Sequence, residues 1–345
     1  MKNLYAFDFE SLKEEMVLLG EKPYRAKQLF QWLYQKEIDD FSLMSDLSLT
    51  FRALLKEKYF LGKPTISDTQ IASDNTIKLL VELNDGHKVE TALLRYRYGN
   101  ALCVSTQVGC NMNCSFCASG LLKKQRNLSV EEMVGQLLVM NDFLKSINDE
   151  EKVSHVVLMG TGEPFDNYEN VLRFVRLINH PFGLALGARK ITISTCGLVP
   201  QIYQFADEGL QVNLAISLHA ANNKLRNQLM PINKAYPLEK IKEAVEYYLL
   251  KTNRRVTFEY LLLKDINDSI RDAHELANYI NNLQAYVNLI PYNEIKEKDY
   301  KRSEMSNVQI FQKVLTSRQV TSTLRKEFGY DISAACGQLR AKSSG

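Results

Sequence analysis

From about residue 100 onward the sequence repeats one pattern six times: a short apolar run rich in Val, Ile and Leu, then a longer stretch with helical spacing. The pairs are ALCVSTQ with SVEEMVGQLLVMNDFLKSI, VSHVVLMG with NYENVLRFVRLI, and KITIST with VPQIYQFADEG. QVNLAISL with LEKIKEAVEYYLLKT, RVTFEYLLL with SIRDAHELANYINNL, and AYVNLIPY with NVQIFQKVLTSR complete the set. Continuous apolar runs of this length are strands buried on both faces. Strands that alternate with helices must lie parallel, because each helix carries the chain back to the starting edge. The repeat predicts an α/β fold, a parallel sheet or a partial (βα)6 barrel. Parallel barrels place their chemistry at the C-terminal ends of the strands.

Upstream of the repeat the pattern differs. Residues 1–62 read as a small helical module, with Ala26, Leu29, Phe30 and Leu33 at helical intervals. Residues 63–98 read as a β-hairpin linker, with the Asp85-Gly86 turn between two alternating runs. The barrel core is expected over 99–318, and a C-terminal segment over 319–345. No apolar stretch approaches membrane-span length, and the acidic, amphipathic N-terminus lacks a signal-peptide block. These features predict a soluble cytosolic protein. The net charge of +3 does not demand a nucleic-acid partner. Local clusters such as Lys123, Lys124 and Arg126 are candidate RNA contacts.

Cysteines are the chemical signal. Four of the six fall in CVSTQVGCNMNCSFC, residues 103–117. In the cytosol such clusters are more often metal ligands than disulfides. A structural zinc site needs four closing ligands, and here only Cys114 and Cys117 form a C-x2-C pair, with no H-x3-5-H after them. Cys110, Cys114 and Cys117 suit instead an iron–sulfur cubane with three irons on thiolate and the fourth left open. The run sits at the end of the first repeat strand. Other strand ends carry Gly162-Glu163-Pro164, Ser194, Ser217 to His219, and Asn293.

The C-x3-C-x2-C spacing, with Phe116 before the last cysteine, resembles the signature of the radical S-adenosylmethionine (SAM) superfamily. CVSTQVGCNMNCSFCAS, MGTGEPFDN, ISLHAANNKLRNQLMPINKAYPL, VNLIPYN and DISAACGQLRAK together resemble the RlmN-type adenine C2 methyltransferases of ribosomal RNA. YRAKQLFQWLY matches their helical N-terminal module, so the resemblance runs from about residue 5 to 342. It implies one [4Fe-4S] cluster on Cys110, Cys114 and Cys117, whose open iron is chelated by SAM. It implies a cofactor rim of Gly162, Glu163, Ser194, Ser217, Leu218, His219 and Asn293, with Glu163 accepting from the SAM ammonium. Two SAM molecules are used per turnover. The first methylates Cys336; the second yields a deoxyadenosyl radical that takes hydrogen from that methyl. The carbon radical adds to adenine C2, Glu90 accepts the C2 proton, and Cys103 releases the product by forming a disulfide with Cys336.

The implied partners are 23S rRNA and tRNA, a cytosolic electron donor and a thiol reductant, with the enzyme a monomer. Two alternatives stand beside this reading. One is the sister C8 methyltransferase of antibiotic resistance, which shares the fold and both catalytic cysteines. The other is a non-enzymatic RNA-binding protein with a structural zinc. Cys196 matches no catalytic position and is expected to pack.

Overall fold

The computed structural model describes residues 1–332. Its frame is one sheet of ten strands. In chain order these are β1 (Thr65–Ile71), β2 (Ile77–Glu82), β3 (Lys88–Tyr96), β4 (Gly99–Cys103), β5 (Val153–Leu158), β6 (Ile191–Thr195), β7 (Asn213–Ser217), β8 (Val256–Leu262), β9 (Ala285–Pro291) and β10 (Ser322–Leu324). Neighbours in the sheet follow chain order from β1 to β10. Strands β4 to β10 pair in parallel, and β1 to β4 pair antiparallel.

Each predicted repeat strand is present. Two strands beyond the expected set flank them. β10 adds a seventh parallel strand on the β9 edge. β1 extends the expected hairpin, whose strands continue the barrel sheet through β3–β4 pairing rather than forming a separate linker.

Helices α4 (Val130–Ser146), α5 (Tyr168–Asn179), α6 (Val199–Asp207), α8 (Leu238–Thr252), α9 (Ile270–Ile280) and α10 (Met305–Ser317) follow β4 to β9, with a short extra helix α7 (Asn223–Leu229) before α8. The N-terminal helices α1 (Phe9–Leu18), α2 (Tyr24–Phe30) and α3 (Leu49–Lys58) form the module expected over 1–62. Arg173 on α5 holds it by bonds to Asp8 and the Ala6 carbonyl, both at 2.9 Å. Phe9 stacks on His180 at 4.1 Å. Among the described residues, no helix is long and apolar enough to cross a membrane.

The two strand faces differ in chemistry. Ile193, Leu214, Ile216, Phe258, Tyr260, Val287 and Leu289 are fully buried in the core. Alternate positions hold Thr192, Ser194, Asn213, Ala215, Ser217, Thr257, Glu259 and Asn288. A filled barrel carries bulky branched residues at such inward positions. Small and polar residues leave this interior open instead.

Candidate active site at the C-terminal strand ends

The cysteine run forms a loop closed at its base by a short antiparallel pair, Gln107–Val108 with Arg126–Asn127. Gly109 takes a left-handed φ of +76°, and a Cβ there would lie 2.3 Å from the Lys123 carbonyl oxygen, so only glycine fits. Arg126 forks onto Glu132 at 2.7 and 2.8 Å and reaches Asp85 at 2.6 Å. Lys124 pairs with Asp166 at 2.7 Å. Two of the three cations expected to meet RNA are therefore engaged in fixing this loop, and Lys123 alone of the three stays exposed.

Cys110, Cys114 and Cys117 line one cavity with Gly162, Glu163, Ser194, Ser217 and His219. Strand ends from four units thus meet as a barrel requires. The three thiols share this wall, yet among the described residues no three His, Cys, Asp or Glu side chains converge to hold a single ion. Burial pushes the Cys110 thiol up to about 12 and Cys114 well above its ordinary value. Iron offsets this by stabilising the thiolates directly.

Glu163 is anchored at the cavity wall. Its carboxylate accepts from Phe165 N–H at 3.1 Å and Cys196 N–H at 2.8 Å, while its own N–H donates to Gln107 at 2.9 Å. Burial raises the Glu163 pKa, and hydrogen bonds from the Cys196 backbone, the Thr195 and Cys196 side chains and the Phe165 backbone only partly counter it. A bound cation would reverse that shift. Gly162 has φ +114°, and a Cβ there would meet Thr106 Oγ1 at 2.7 Å, which explains the glycine beside the glutamate.

Ser194 and Ser217 lie side by side with their hydroxyls 3.4 Å apart. His219 Nδ1 accepts from Leu261 N–H at 3.0 Å. Burial, with Arg226 nearby, lowers the His219 pKa to about 3, so the ring is neutral. With Nδ1 accepting, its proton sits on Nε2, making it a donor.

The remaining rim residues are placed differently. Leu218 is buried in the core and does not wall the cavity; its N–H donates to the Glu259 carbonyl and its carbonyl accepts from Arg226. Asn293 is buried just past β9, but it is Tyr292 that lines the cavity. Cys196, expected as packing, also lines it, and its N–H steadies Glu163.

Sequence reasoning missed Arg226. It is fully buried on α7 and donates to the carbonyls of Leu218 (3.1 Å), Cys196 (2.7 Å) and Ser217 (3.1 Å), and to Asn233 Oδ1 (2.8 Å). One guanidinium thereby ties the ends of β6 and β7 together under the rim. Nothing in NKLRNQL distinguishes it from an ordinary exposed helix cation.

Cys103 and Glu90 lie outside this cavity but on the inward face of the sheet, where Cys103 is in register with Val157, Thr192 and Asn213. Ala92 pairs with Cys103 across β3–β4, so Glu90, two residues before Ala92, faces the same way. Lys78 pairs with Glu90 at 3.2 Å, both nearly inaccessible. Cys103 clusters with Ala92, Leu94, Ala101 and Phe328, and Ile332 packs on the group. The chain is fastened here by Gly329 N–H to Asp74 (3.1 Å) and Ser73 N–H to Asp331 (3.0 Å). Cys336 lies outside the described residues.

The comparisons with known proteins agree with this geometry. The Radical SAM superfamily model matches residues 104–277, and that of the Ribosomal RNA large subunit methyltransferase N-terminal domain matches 2–61. A probable dual-specificity RNA methyltransferase RlmN of Spiroplasma citri is 54% identical over 345 residues, covering 100% of this chain and 99% of the relative. The chain belongs to the RlmN-type dual-specificity RNA methyltransferases of the radical SAM superfamily. Another such RlmN, from Geobacillus kaustophilus (strain HTA426), is 49% identical over 99% of this chain and 93% of its own. The crystal structure of a radical SAM methyltransferase from Sphaerobacter thermophilus superposes with a TM-score of 0.93 at 40% identity, covering 99% of this chain and 100% of that one. Membership makes the chain a SAM-dependent RNA methyltransferase acting on rRNA and tRNA. Its cofactors are a [4Fe-4S] cluster bound by cysteines and SAM, two molecules per cycle. The zinc-bound, non-enzymatic alternative is set aside.

Proposed function

We propose that this chain methylates C2 of adenine, in the peptidyl-transferase centre of 23S rRNA and beside the anticodon of tRNA. Cys110, Cys114 and Cys117 hold the cluster; Gly162, Glu163, Ser194, Ser217 and His219 hold SAM. The bound cofactors supply one-electron cleavage of the sulfonium, the source of a carbon radical that no side chain can generate. Glu163 fixes the SAM amino group, the two serines offer hydroxyls to carboxylate and ribose, and neutral His219 offers its Nε2–H. Asn293, buried just past β9, supplies a polar group on the adenine side.

Adenine C2 is electron-poor, so direct delivery of a methyl cation to it is unfavourable. The methyl group instead passes through Cys336. Glu90, held by Lys78, takes the C2 proton. The Cys103 thiolate then attacks the Cys336 sulfur, forming a disulfide and expelling the methylene carbon with its electron pair, which takes up a proton to become the methyl group. A thiol reductant resets the pair. The reading is supported above all by the packing of Phe328 and Ile332 on the Cys103 face. Cys336 follows Ile332 by four chain steps, a span of at most roughly 14 Å. The target base must leave its stack to reach this interior. The enzyme acts as a monomer in the cytoplasm, with an electron donor of that compartment.

Nucleosides from 23S rRNA and tRNA treated with the reconstituted enzyme test this reading by mass spectrometry. The expected product is 2-methyladenosine; 8-methyladenosine would assign the chain the sister chemistry.

A further inference from the structure

The open barrel has a second chamber. Along the inward positions, Ser194, Ser217 and Leu261 line the upper cavity, while Thr192, Asn213 and Thr257 line a lower one of about 510 Å³. The floor between them is Met159, Glu259 and Arg325, which line both. Glu259 is the one carboxylate lining the lower chamber among the described residues. It is buried, accepts from Asn288 Nδ2 at 2.8 Å, and lies 3.9 Å from Arg325. Negative charge is thus confined to the floor and answered there.

The mouth of this chamber, at the N-terminal strand ends, has the opposite character. Arg189 precedes β6, and Arg254 and Arg255 precede β8; all three line it. The chain has many cation–carboxylate pairs, yet none involves these three or the adjacent Lys190 among the described residues. Arg254 bonds Asn213 Oδ1, and its Nε is buried without a hydrogen-bond acceptor. Arg255 lies over the Tyr286 ring at 4.4 Å, which fixes its fork. Tyr96 and Tyr98 stack at 4.7 Å and 15° on the same rim, and Tyr98 is 64% exposed. A large aromatic left in water beside unpaired guanidinium groups is the arrangement that binds single-stranded nucleic acid: cations meet phosphate and the ring meets a base. The volume suits one nucleotide-sized group.

We propose that this mouth is a second RNA contact, taking a phosphodiester on Arg189, Arg254 and Arg255 and an unstacked base on Tyr98, apart from the site of methylation. The proposal rests on the chain acting on RNA. Strands of five to seven residues span roughly 17–23 Å, so both mouths lie within reach of one folded RNA loop region. Such a contact would orient the RNA whose target base enters from the other end.

The test is RNA binding by the reconstituted holoenzyme across a salt series, using a tRNA transcript and a 23S rRNA fragment. Replacing all three residues, Arg189→Gln, Arg254→Gln and Arg255→Gln, should weaken binding at least about 10-fold at low salt. It should also flatten the slope of log Kd against log salt by about 0.7, the contribution of one single-strand phosphate. Arg255→Gln alone, at an exposed position that does not threaten folding, should weaken binding and flatten the slope by part of that amount. Tyr98→Ala should weaken binding about 5-fold or more with the slope unchanged, as lost stacking does. Reductive SAM cleavage without RNA should be intact in every variant. Unchanged affinity and slope in both arginine variants would overturn the proposal while leaving the methyltransferase reading standing. Failure of the unsubstituted enzyme to bind either RNA would overturn both.

Discussion

Cys103→Ala is expected to trap the RNA on the protein. In the proposed mechanism the covalent intermediate would join the methyl carbon on adenine C2 to the sulfur of Cys336, and its release would need a thiol that attacks that sulfur. Cys103 ends β4, with its carbonyl accepting from Thr91 Oγ1 at 2.7 Å. The Phe328–Ile332 segment that leads to Cys336 packs on the same face. Removing the Cys103 sulfur leaves every earlier step in place, so the adduct accumulates and turnover stops. On a denaturing gel, labelled RNA should migrate with the protein in the variant and run free with the unsubstituted enzyme. Cys336→Ala should give neither adduct nor product. Free methylated RNA from Cys103→Ala at the normal rate would sink the role of Cys103.

The second large effect is expected at Arg226. Arg226→Met keeps the length of the side chain and removes its donors. The carbonyls of Cys196, Ser217 and Leu218 and the Asn233 amide oxygen would lose the donor they share. Methionine relieves the desolvation of a buried cation, but stranded acceptors cost about 1–3 kcal/mol each. Breaking a buried charged network by truncating one member typically costs about 3–5 kcal/mol. The midpoint of urea unfolding should fall accordingly, and SAM affinity should fall with it because the β6 and β7 ends carry Ser194 and Ser217. Arg226→Lys keeps the charge but cannot fork to three strand-end carbonyls, so it should recover little. An unchanged midpoint with unchanged SAM binding in Arg226→Met would contradict this account of the rim.

What the sequence disclosed and what it hid follow from the range of the forces involved. The repeat strands were legible because burial on both faces writes itself into consecutive residues such as those of Val256–Leu262. The cysteine loop was legible because its ligands are close in the chain. β1 was hidden because TISDTQI is a mostly exposed edge strand with no apolar alternation. β10 was hidden because it is three residues long. Arg126 and Lys124 read as surface cations since their carboxylates, Asp85 and Asp166, come from other elements. Leu218 sat in the right string, yet strand alternation turns its side chain outward, between the inward-facing Ser217 and the left-handed His219. Arg226 and the lower chamber are assembled from strand starts and loops far apart in sequence, and only folding brings those together.

The central claim is that the methyl group reaches RNA from Cys336 and not directly from SAM. A label chase measures this most directly. Enzyme whose Cys336 carries a heavy-carbon methyl is mixed with unlabelled SAM, reductant and RNA for a single turnover. The account predicts that the methyladenosine formed carries the heavy carbon and that the protein loses it. Unlabelled methyladenosine, with the heavy methyl still on Cys336, would contradict it.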